Sequence, residues 1–118
     1  EELDNYHSPI PLCADESCLD TGELEQVSGR YQMINIKLDK TGGLTEALEL
    51  ANQAKVMGLG LMVGNMLGTS LAMAPAFVVA QLCQLVDLDG PVLLENDRAN
   101  AMSYGRGLVS LPTTELWG

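Results

Sequence analysis

Short apolar runs alternate with segments of helical spacing along most of this chain. The runs contain β-branched and other apolar residues between turn residues, which is typical of buried strands, and the longer segments repeat apolar residues at every third or fourth position. The alternation predicts β-α-β-α-β-α-β with short connections, and therefore a parallel sheet with right-handed crossovers. The predicted strands are Pro9–Ala14, Met33–Lys37, Leu59–Val63 and Val86–Leu88, and the predicted helices are Glu23–Arg30, Thr45–Met57 and Leu71–Leu85.

Local signals support these boundaries. Asp20 or Thr21 is a suitable N-cap for the first predicted helix. Gly42 and Gly43 supply the permissive backbone that is needed between a strand and the next helix, and Gly58 stands where a C-terminal glycine is expected. Outside this pattern, Glu1–Ser8 resembles a frayed helix end, and residues 95–118 are rich in Gly, Asn and turn residues without a helical period. In this last segment Gly107–Leu111 is the candidate for an edge strand.

Composition narrows the range of partners. The chain has 118 residues, a formal net charge of −10 and 47% hydrophobic residues, so it encodes one globular domain rather than a disordered acidic tail. Its negative charge argues against nucleic acid and against anionic membrane surfaces. Cys13, Cys18 and Cys83 lack zinc-type spacing and favour reduced thiols in the cytoplasm, although secretion with one free thiol stays open. His7 precedes the first predicted strand, and we discount it as a catalytic base.

One segment, Gly58–Val86, contains no charged residue and is long enough to be considered as a transmembrane helix. It carries small residues in a doubled GxxxG pattern, which is found at packed membrane helices. Polar residues and Pro75 interrupt it, however, and no cationic residues flank it. We therefore expect a buried strand followed by a buried helix.

Charged residues follow three of the predicted strands. Asp15 and Glu16 follow the first, Lys37 ends the second, and Asp87 and Asp89 follow the last. Because carboxyl ends of parallel strands meet at one edge, these side chains are expected to share a site, in which desolvation would lower the pKa of the lysine towards a range useful for proton transfer. Each also has a structural interpretation, in which the lysine extends to solvent and the carboxylates are helix caps or solvated turn residues.

The residues around these positions resemble the barrel domain of the enolase superfamily, muconate-lactonizing subgroup. The last motif resembles the DxD signature of dipeptide epimerases such as L-Ala-D/L-Glu epimerases. Lactonizing members carry a glutamate at the position of Gly68 and lack the paired aspartates, so the resemblance favours an epimerase over a lactonizing enzyme. Another member of the superfamily, a cycloisomerase or an o-succinylbenzoate synthase, stays open as an alternative. The motifs are Ala14-Asp15-Glu16-Ser17, Asn35-Ile36-Lys37-Leu38-Asp39-Lys40-Thr41-Gly42-Gly43, Asn65-Met66-Leu67-Gly68-Thr69-Ser70 and Asp87-Leu88-Asp89-Gly90-Pro91.

The resemblance implies a role for each candidate. Asp15 would be a carboxylate ligand of Mg²⁺ on the fifth barrel strand, and Lys37, on the sixth, would be one of two opposed acid/base lysines. Asp87 and Asp89, on the eighth, would bind the α-ammonium of a dipeptide. The implied reaction is a 1,1-proton transfer at the α-carbon next to a carboxylate, in which the metal stabilises the developing charge.

The resemblance also implies that this sequence holds only part of the site. In the family the opposed lysine comes from a KxK motif on the second strand, two metal carboxylates come from the third and fourth, and a capping domain closes over the substrate. A complete barrel takes roughly 250 residues. We therefore assign residues 1–94 to the C-terminal half of a (β/α) TIM-type barrel and residues 95–118 to a tail that would pack on the capping domain.

A half barrel leaves sheet edges and an apolar face uncovered, which predicts a homo-oligomer or pairing with a first-half barrel fragment. A non-catalytic oligomeric module, whose charged residues are relics of an ancestral site, is the alternative.

Overall fold

The computed structural model describes residues 6–118, so most of the predicted frayed segment Glu1–Ser8 lies outside the described part. Four parallel strands form one sheet in the order β1-β2-β3-β4, which is also their order in the sequence. The predicted α/β architecture with a parallel sheet is therefore confirmed. The strands are β1 (Cys13–Ala14), β2 (Met33–Ile36), β3 (Gly60–Val63) and β4 (Leu85–Val86), and the helices are α1 (Leu24–Ser28), α2 (Leu38–Thr41), α3 (Leu44–Val56) and α4 (Ser70–Ala80).

The two faces of the sheet differ in burial. Ile34 and Ile36 of β2 and Leu61 and Val63 of β3 are fully buried, together with the apolar face of α3. Met62 points to the opposite face and is only half-buried. Because strand residues alternate between faces, one side of the sheet is covered by helices and the other is partly open. The edge strand β4 is exposed on both faces.

The strands and helices are shorter than predicted at several ends. The run Pro9–Ala14 yields only the two residues of β1, since Pro9 and Pro11 have no N–H to donate to a ladder. The predicted helix Glu23–Arg30 is a 3₁₀ turn, Thr21–Glu23, followed by the five residues of α1. Asp20 is its cap, as expected, and accepts a hydrogen bond from the N–H of Gly22 at 2.8 Å.

The sequence pattern missed the short helix α2. The predicted connection from strand to helix is in fact a helical turn between β2 and α3, and Gly42 and Gly43 lie between α2 and α3 with φ of 75° and 140°. A segment of four residues is too short to show helical periodicity. Gly58 has φ of 79° just beyond α3, which confirms its role as the C-terminal glycine.

The predicted helix Leu71–Leu85 ends early, at Ala80, and the predicted strand Val86–Leu88 is shifted to Leu85–Val86. Gln84 accounts for this difference. Its N–H donates to the carbonyl of Leu61 at 3.0 Å, and its side-chain oxygen accepts from the N–H of Leu61 at 2.6 Å. These contacts start the pairing with β3, so the chain must leave the helix before residue 84.

The C-terminal segment forms a 3₁₀ turn, Gly90–Leu93, and a hairpin of β5 (Tyr104–Gly105) and β6 (Leu108–Val109). The predicted edge strand Gly107–Leu111 is therefore wrong in extent. The start of the tail packs on α4: an Asp97 oxygen accepts from the N–H of Ser70 at 2.9 Å. The N–H of Met102 donates to the buried Ser70 hydroxyl at 3.0 Å.

The uncharged segment Gly58–Val86 contains β3 and α4 rather than one long helix, as expected. Within residues 6–118, every helix is too short or too polar to span a bilayer. Cys13, Cys18 and Cys83 are unpaired, also as expected.

Candidate functional site

Lys37 directly follows β2 and occupies the N-cap position of α2. Its backbone is still extended, with φ of −127° and ψ of 127°, so its side chain continues the pleat on the same face as Asn35. The side chain is 11% exposed, which places its ammonium mostly out of water. The structure therefore holds a largely desolvated cation at the carboxyl edge of the sheet.

Asp15 and Glu16 follow β1 at the same edge. The pairing of Ala14 with Ile34 brings the end of β1 alongside β2. The Lys37 Nζ lies 2.9 Å from Asp15 Oδ1 and 3.1 Å from Glu16 Oε1. The predicted approach of Asp15 and Lys37 thus takes the form of a direct ion pair.

A second lysine, Lys40, joins this cluster and was missed in the sequence. Its Nζ lies 3.0 Å from Asp15 Oδ1, and its side chain is only 4% exposed. Lys37 and Lys40 stand one helical turn apart, because both belong to the turn around α2. Recognition of this short helix would have revealed that the two ammonium groups face the same carboxylate.

The ion pairs determine the charge states in the cluster. Burial disfavours ionisation of Asp15, but the hydrogen bonds from Lys37 and Lys40 outweigh it and lower the pKa of its carboxyl group. The hydrogen bond to Asp15 raises the pKa of Lys37 against the opposing effect of desolvation, with a further contribution from Glu16. The expectation of a lowered lysine pKa is therefore wrong for this chain, since two carboxylates lie beside the ammonium.

Asp87 and Asp89 follow β4 at the same edge of the sheet. The N–H of Asp87 donates to the carbonyl of Val63 at 2.9 Å, which extends the pairing with β3. Both side chains are exposed. Burial and the neighbouring Asp89 carboxylate raise the pKa of Asp87, and the charge of Lys37 acts in the opposite direction.

Asn65 supports this acidic turn and was not singled out by sequence analysis. Its side-chain Nδ2 donates to the carbonyl of Asp87 at 2.8 Å. Gly90 packs against the same amide: a Cβ added to Gly90 would lie 2.2 Å from Asn65 Oδ1. The position of the Asp87–Asp89 turn therefore depends on a close approach between an asparagine and a glycine.

Comparisons with known proteins identify the family to which this fold belongs. The family described as "Enolase C-terminal domain-like" matches residues 1–115. The chain belongs to this family. It is 53% identical over its full length to an N-acetyl-D-glutamate racemase from Pseudoalteromonas sp, of which it spans 38%. It is 48% identical over 92% of its length to L-Ala-D/L-Glu epimerase of Escherichia coli (strain K12), of which it spans 34%.

Solved structures of enolase-family proteins show the same architecture. An enolase family member from Agrobacterium tumefaciens with homology to dipeptide epimerases, with bound sodium and L-Ala-L-Glu, superimposes with a TM-score of 0.95 at 51% identity, covering 99% of this chain and 36% of that one. A dipeptide epimerase from Cytophaga hutchinsonii, complexed with Mg and D-Ala-L-Val, gives a TM-score of 0.80 at 30% identity, covering 87% and 30% of the two chains. The chain therefore spans about a third of these enolase-family relatives.

The described residues do not form a complete metal site. Among residues 6–118 no three His, Cys, Asp or Glu residues lie together in a group that could hold a metal ion. Asp15 is suited to be one ligand, since its carboxylate is a hard oxygen donor, and its side chain is 44% exposed at the carboxyl edge. Any further ligands would come from outside the described residues.

Proposed function

We propose that this chain contributes the C-terminal part of the active site of a metal-dependent dipeptide epimerase. The observation that carries the proposal is the contact of 2.9 Å between Lys37 Nζ and Asp15 Oδ1 at the carboxyl ends of adjacent parallel strands. This contact brings a group that can carry protons next to a carboxylate that is suited to bind a metal ion. The family to which the chain belongs includes dipeptide epimerases.

In the proposed reaction, Lys37 exchanges a proton with the α-carbon of the substrate's C-terminal residue. Its raised pKa makes it an ammonium at neutral pH, so it is prepared to donate a proton to the α-carbon. To accept a proton instead, it must first be neutral, which the loss of its Asp15 contact would favour. Asp15 would hold Mg²⁺, and the bound ion would stabilise the negative charge that develops on the substrate carboxylate.

Asp87 and Asp89 would bind the free α-ammonium of a dipeptide. Burial and then the charge of the neighbouring Asp89 carboxylate raise the pKa of Asp87, and a substrate cation placed between the two carboxylates would relieve their repulsion. The two side chains interact with each other in the turn after β4, so both can face one cation. This pair supports a dipeptide rather than a substrate without an ammonium.

An N-acylglutamate is the second candidate substrate, and the relative that is 53% identical favours it, since that protein is an N-acetyl-D-glutamate racemase. N-acetylglutamate and Ala-Glu both present an amide-linked glutamate with a free α-carboxylate. Ala-Glu carries a free α-ammonium group, which N-acetylglutamate lacks. Removing the charge of Asp87 and Asp89 should therefore weaken the use of Ala-Glu much more than the use of N-acetylglutamate.

The site requires groups that the described residues do not provide, and an unsatisfied polar atom supports this. Asn35 Oδ1 is buried and has no hydrogen-bond partner among residues 6–118. It lies on the same face as Lys37. A buried acceptor without a donor is costly, so we propose that a donor from another part of a complete barrel faces it. Residues 1–94 would form half of that barrel, and residues beyond 94 would reach its capping domain.

The test is Mg²⁺-dependent exchange of the α-proton of L-Ala-L-Glu in D₂O, followed by NMR. The chain is assayed alone and with a first-half barrel fragment of the E. coli epimerase. We expect exchange only in the mixture, because the charge that develops on the substrate needs further metal carboxylates, which we expect from the first half of the barrel. The Lys37→Ala variant should lose the conversion of L-Ala-L-Glu into L-Ala-D-Glu in the mixture, because inversion needs a base on each face of the α-carbon, while it keeps its circular dichroism. Lys55→Ala serves as the control because Lys55 is exposed on α3.

Absence of exchange under both conditions would refute the enzyme proposal and favour a non-catalytic oligomeric module. Unchanged conversion of L-Ala-L-Glu into L-Ala-D-Glu by Lys37→Ala would remove this residue from the reaction. For location we propose the cytoplasm, which the three unpaired thiols support.

A further inference from the structure

Two lysines share one oxygen of Asp15, but their other partners differ. Lys40 Nζ also donates to the main-chain carbonyl of Asp15 at 2.6 Å and to that of Asn35 at 3.0 Å. The other partner of Lys37 Nζ is Glu16 Oε1 at 3.1 Å, on a side chain that is 65% exposed. Besides Asp15 Oδ1, the Lys40 ammonium therefore has two main-chain partners, whereas the partner of the Lys37 ammonium is a flexible side chain.

Because of this difference, the contact of Lys40 with Asp15 is harder to break than the contact of Lys37 with Asp15. A lysine ammonium has three donors, and the three acceptors around Lys40 match them. Its two carbonyl acceptors belong to residues at the ends of β1 and β2, so they move only if the sheet edge moves. Since the Lys40 side chain is 4% exposed, leaving these acceptors would strand a buried charge without water to replace them.

Lys37 can leave Asp15 at lower cost. Its remaining partner, the Glu16 carboxylate, is 65% exposed and can move with the Lys37 ammonium, whereas the main-chain acceptors of Lys40 cannot follow their ammonium. An ion pair with an exposed carboxylate contributes little net free energy. A competing cation at Asp15 therefore displaces the Lys37 contact before the Lys40 contact.

We propose that Lys40 is a positioning residue: it fixes the Asp15 carboxylate through both strand ends, so that a divalent cation at Asp15 releases Lys37 and leaves Lys40 in place. The proposal rests on the proposed function in so far as Asp15 is a metal ligand. It adds that the two lysines of the motif have different tasks, one holding the ligand and the other carrying protons.

The first test uses the unaltered chain labelled with ¹⁵N and ¹³C, mixed with the unlabelled first-half barrel fragment from which further metal ligands are expected. The ammonium signals of Lys37 and Lys40 and the carboxyl carbon of Asp15 are followed by NMR during titration with Mg²⁺. We expect the Asp15 carboxyl signal to shift and the Lys37 ammonium signal to broaden through faster exchange with water, while the Lys40 signal persists. Loss of the Lys40 signal, or no difference between the two lysines, would overturn the inference.

The Asp15 carboxyl signal separates this inference from the proposed function. If it shifts with Mg²⁺ while the lysines behave alike, the metal role of Asp15 stands and only the role of Lys40 is wrong. If it does not respond at all, the proposed metal role fails and the inference fails with it.

The second test measures Mn²⁺ affinity by electron paramagnetic resonance for Lys40→Met, with Lys55→Met as the matched control, each mixed with the same first-half fragment. Loss of a group that orients a metal ligand typically weakens affinity by about 10- to 100-fold, and we expect at least the lower value for Lys40→Met. If Lys40 acted only as a repelling charge, its removal would tighten binding, and that result would overturn the proposal. If Lys40→Met does not fold, the titration of the unaltered chain still decides.

Discussion

Asp97→Asn tests the connection between the C-terminal segment and the half barrel. Asp97 accepts hydrogen bonds from the N–H and the hydroxyl of Ser70, the first residue of α4. The variant keeps the shape of the side chain but turns an amide towards the Ser70 hydroxyl, which is completely buried. It therefore removes a charge and leaves a buried donor without its acceptor, and it creates no cavity.

The expected loss follows from these contacts. A hydrogen bond to a charged group contributes about 1.5–3 kcal/mol, and an anionic cap at a helix N-terminus contributes about 0.5–2 kcal/mol. The two estimates describe the same contact with the start of α4, so they are not added. Because Asp97 is only partly buried, the lower part of the range of about 1.5–3 kcal/mol applies. We expect the free energy of unfolding to fall by about 2 kcal/mol, or the urea midpoint by roughly 1–2 M.

Urea denaturation at pH 7 measures this loss, with Glu95→Gln as control because Glu95 is exposed in the same segment. The pH dependence gives a second check. The hydrogen bonds from Ser70 overcome the effect of burial and lower the pKa of Asp97 in the folded state. Its contribution is then fully present above the unfolded pKa of about 4 and is lost as pH falls through the folded value. The difference between the two proteins should therefore be constant from about pH 7 to 5 and shrink below about pH 4. A loss below about 0.5 kcal/mol, or one equal to the control, would refute the reasoning.

Three further predictions concern the acidic turn, the thiols and the open sheet. Gly90→Ala should displace the Asn65 amide and destabilise the chain by about 1–3 kcal/mol, seen as a lower melting temperature. Gly29→Ala has open space around its Cβ and should change the melting temperature little, so equal effects of the two substitutions would contradict the close packing at Gly90. Burial raises the pKa of Cys18 and Cys83 to about 11, so about one thiol in a thousand is ionised at pH 8. Both thiols should therefore react with a disulfide reagent far more slowly in the folded chain than in the chain unfolded in urea. Equal rates in the two states would be inconsistent with burial. The chain should self-associate with rising concentration, and more readily in salt, which screens the net charge of −10; a monomer at high concentration in native mass spectrometry would exclude this.

The sequence by itself determined the order of the elements and the edge at which the charged residues lie. The apolar pattern was sufficient because strand and helix periods differ, and because parallel strands place their carboxyl ends together. Asp15, Lys37, Asp87 and Asp89 all follow strands of one sheet, as predicted. Their roles in metal binding, proton transfer and substrate binding remain predictions.

Only the tertiary structure decided how these charges combine. Lys40 contacts Asp15 through a helical turn too short for its periodicity to be recognised, and the position of Asn65 depends on contacts with residues more than twenty positions away. The pKa of Lys37 was predicted to fall because desolvation acts on any buried amine. It rises instead because two carboxylates from the neighbouring strand lie within hydrogen-bonding distance, and the pattern along one strand carries no information about such distances between strands.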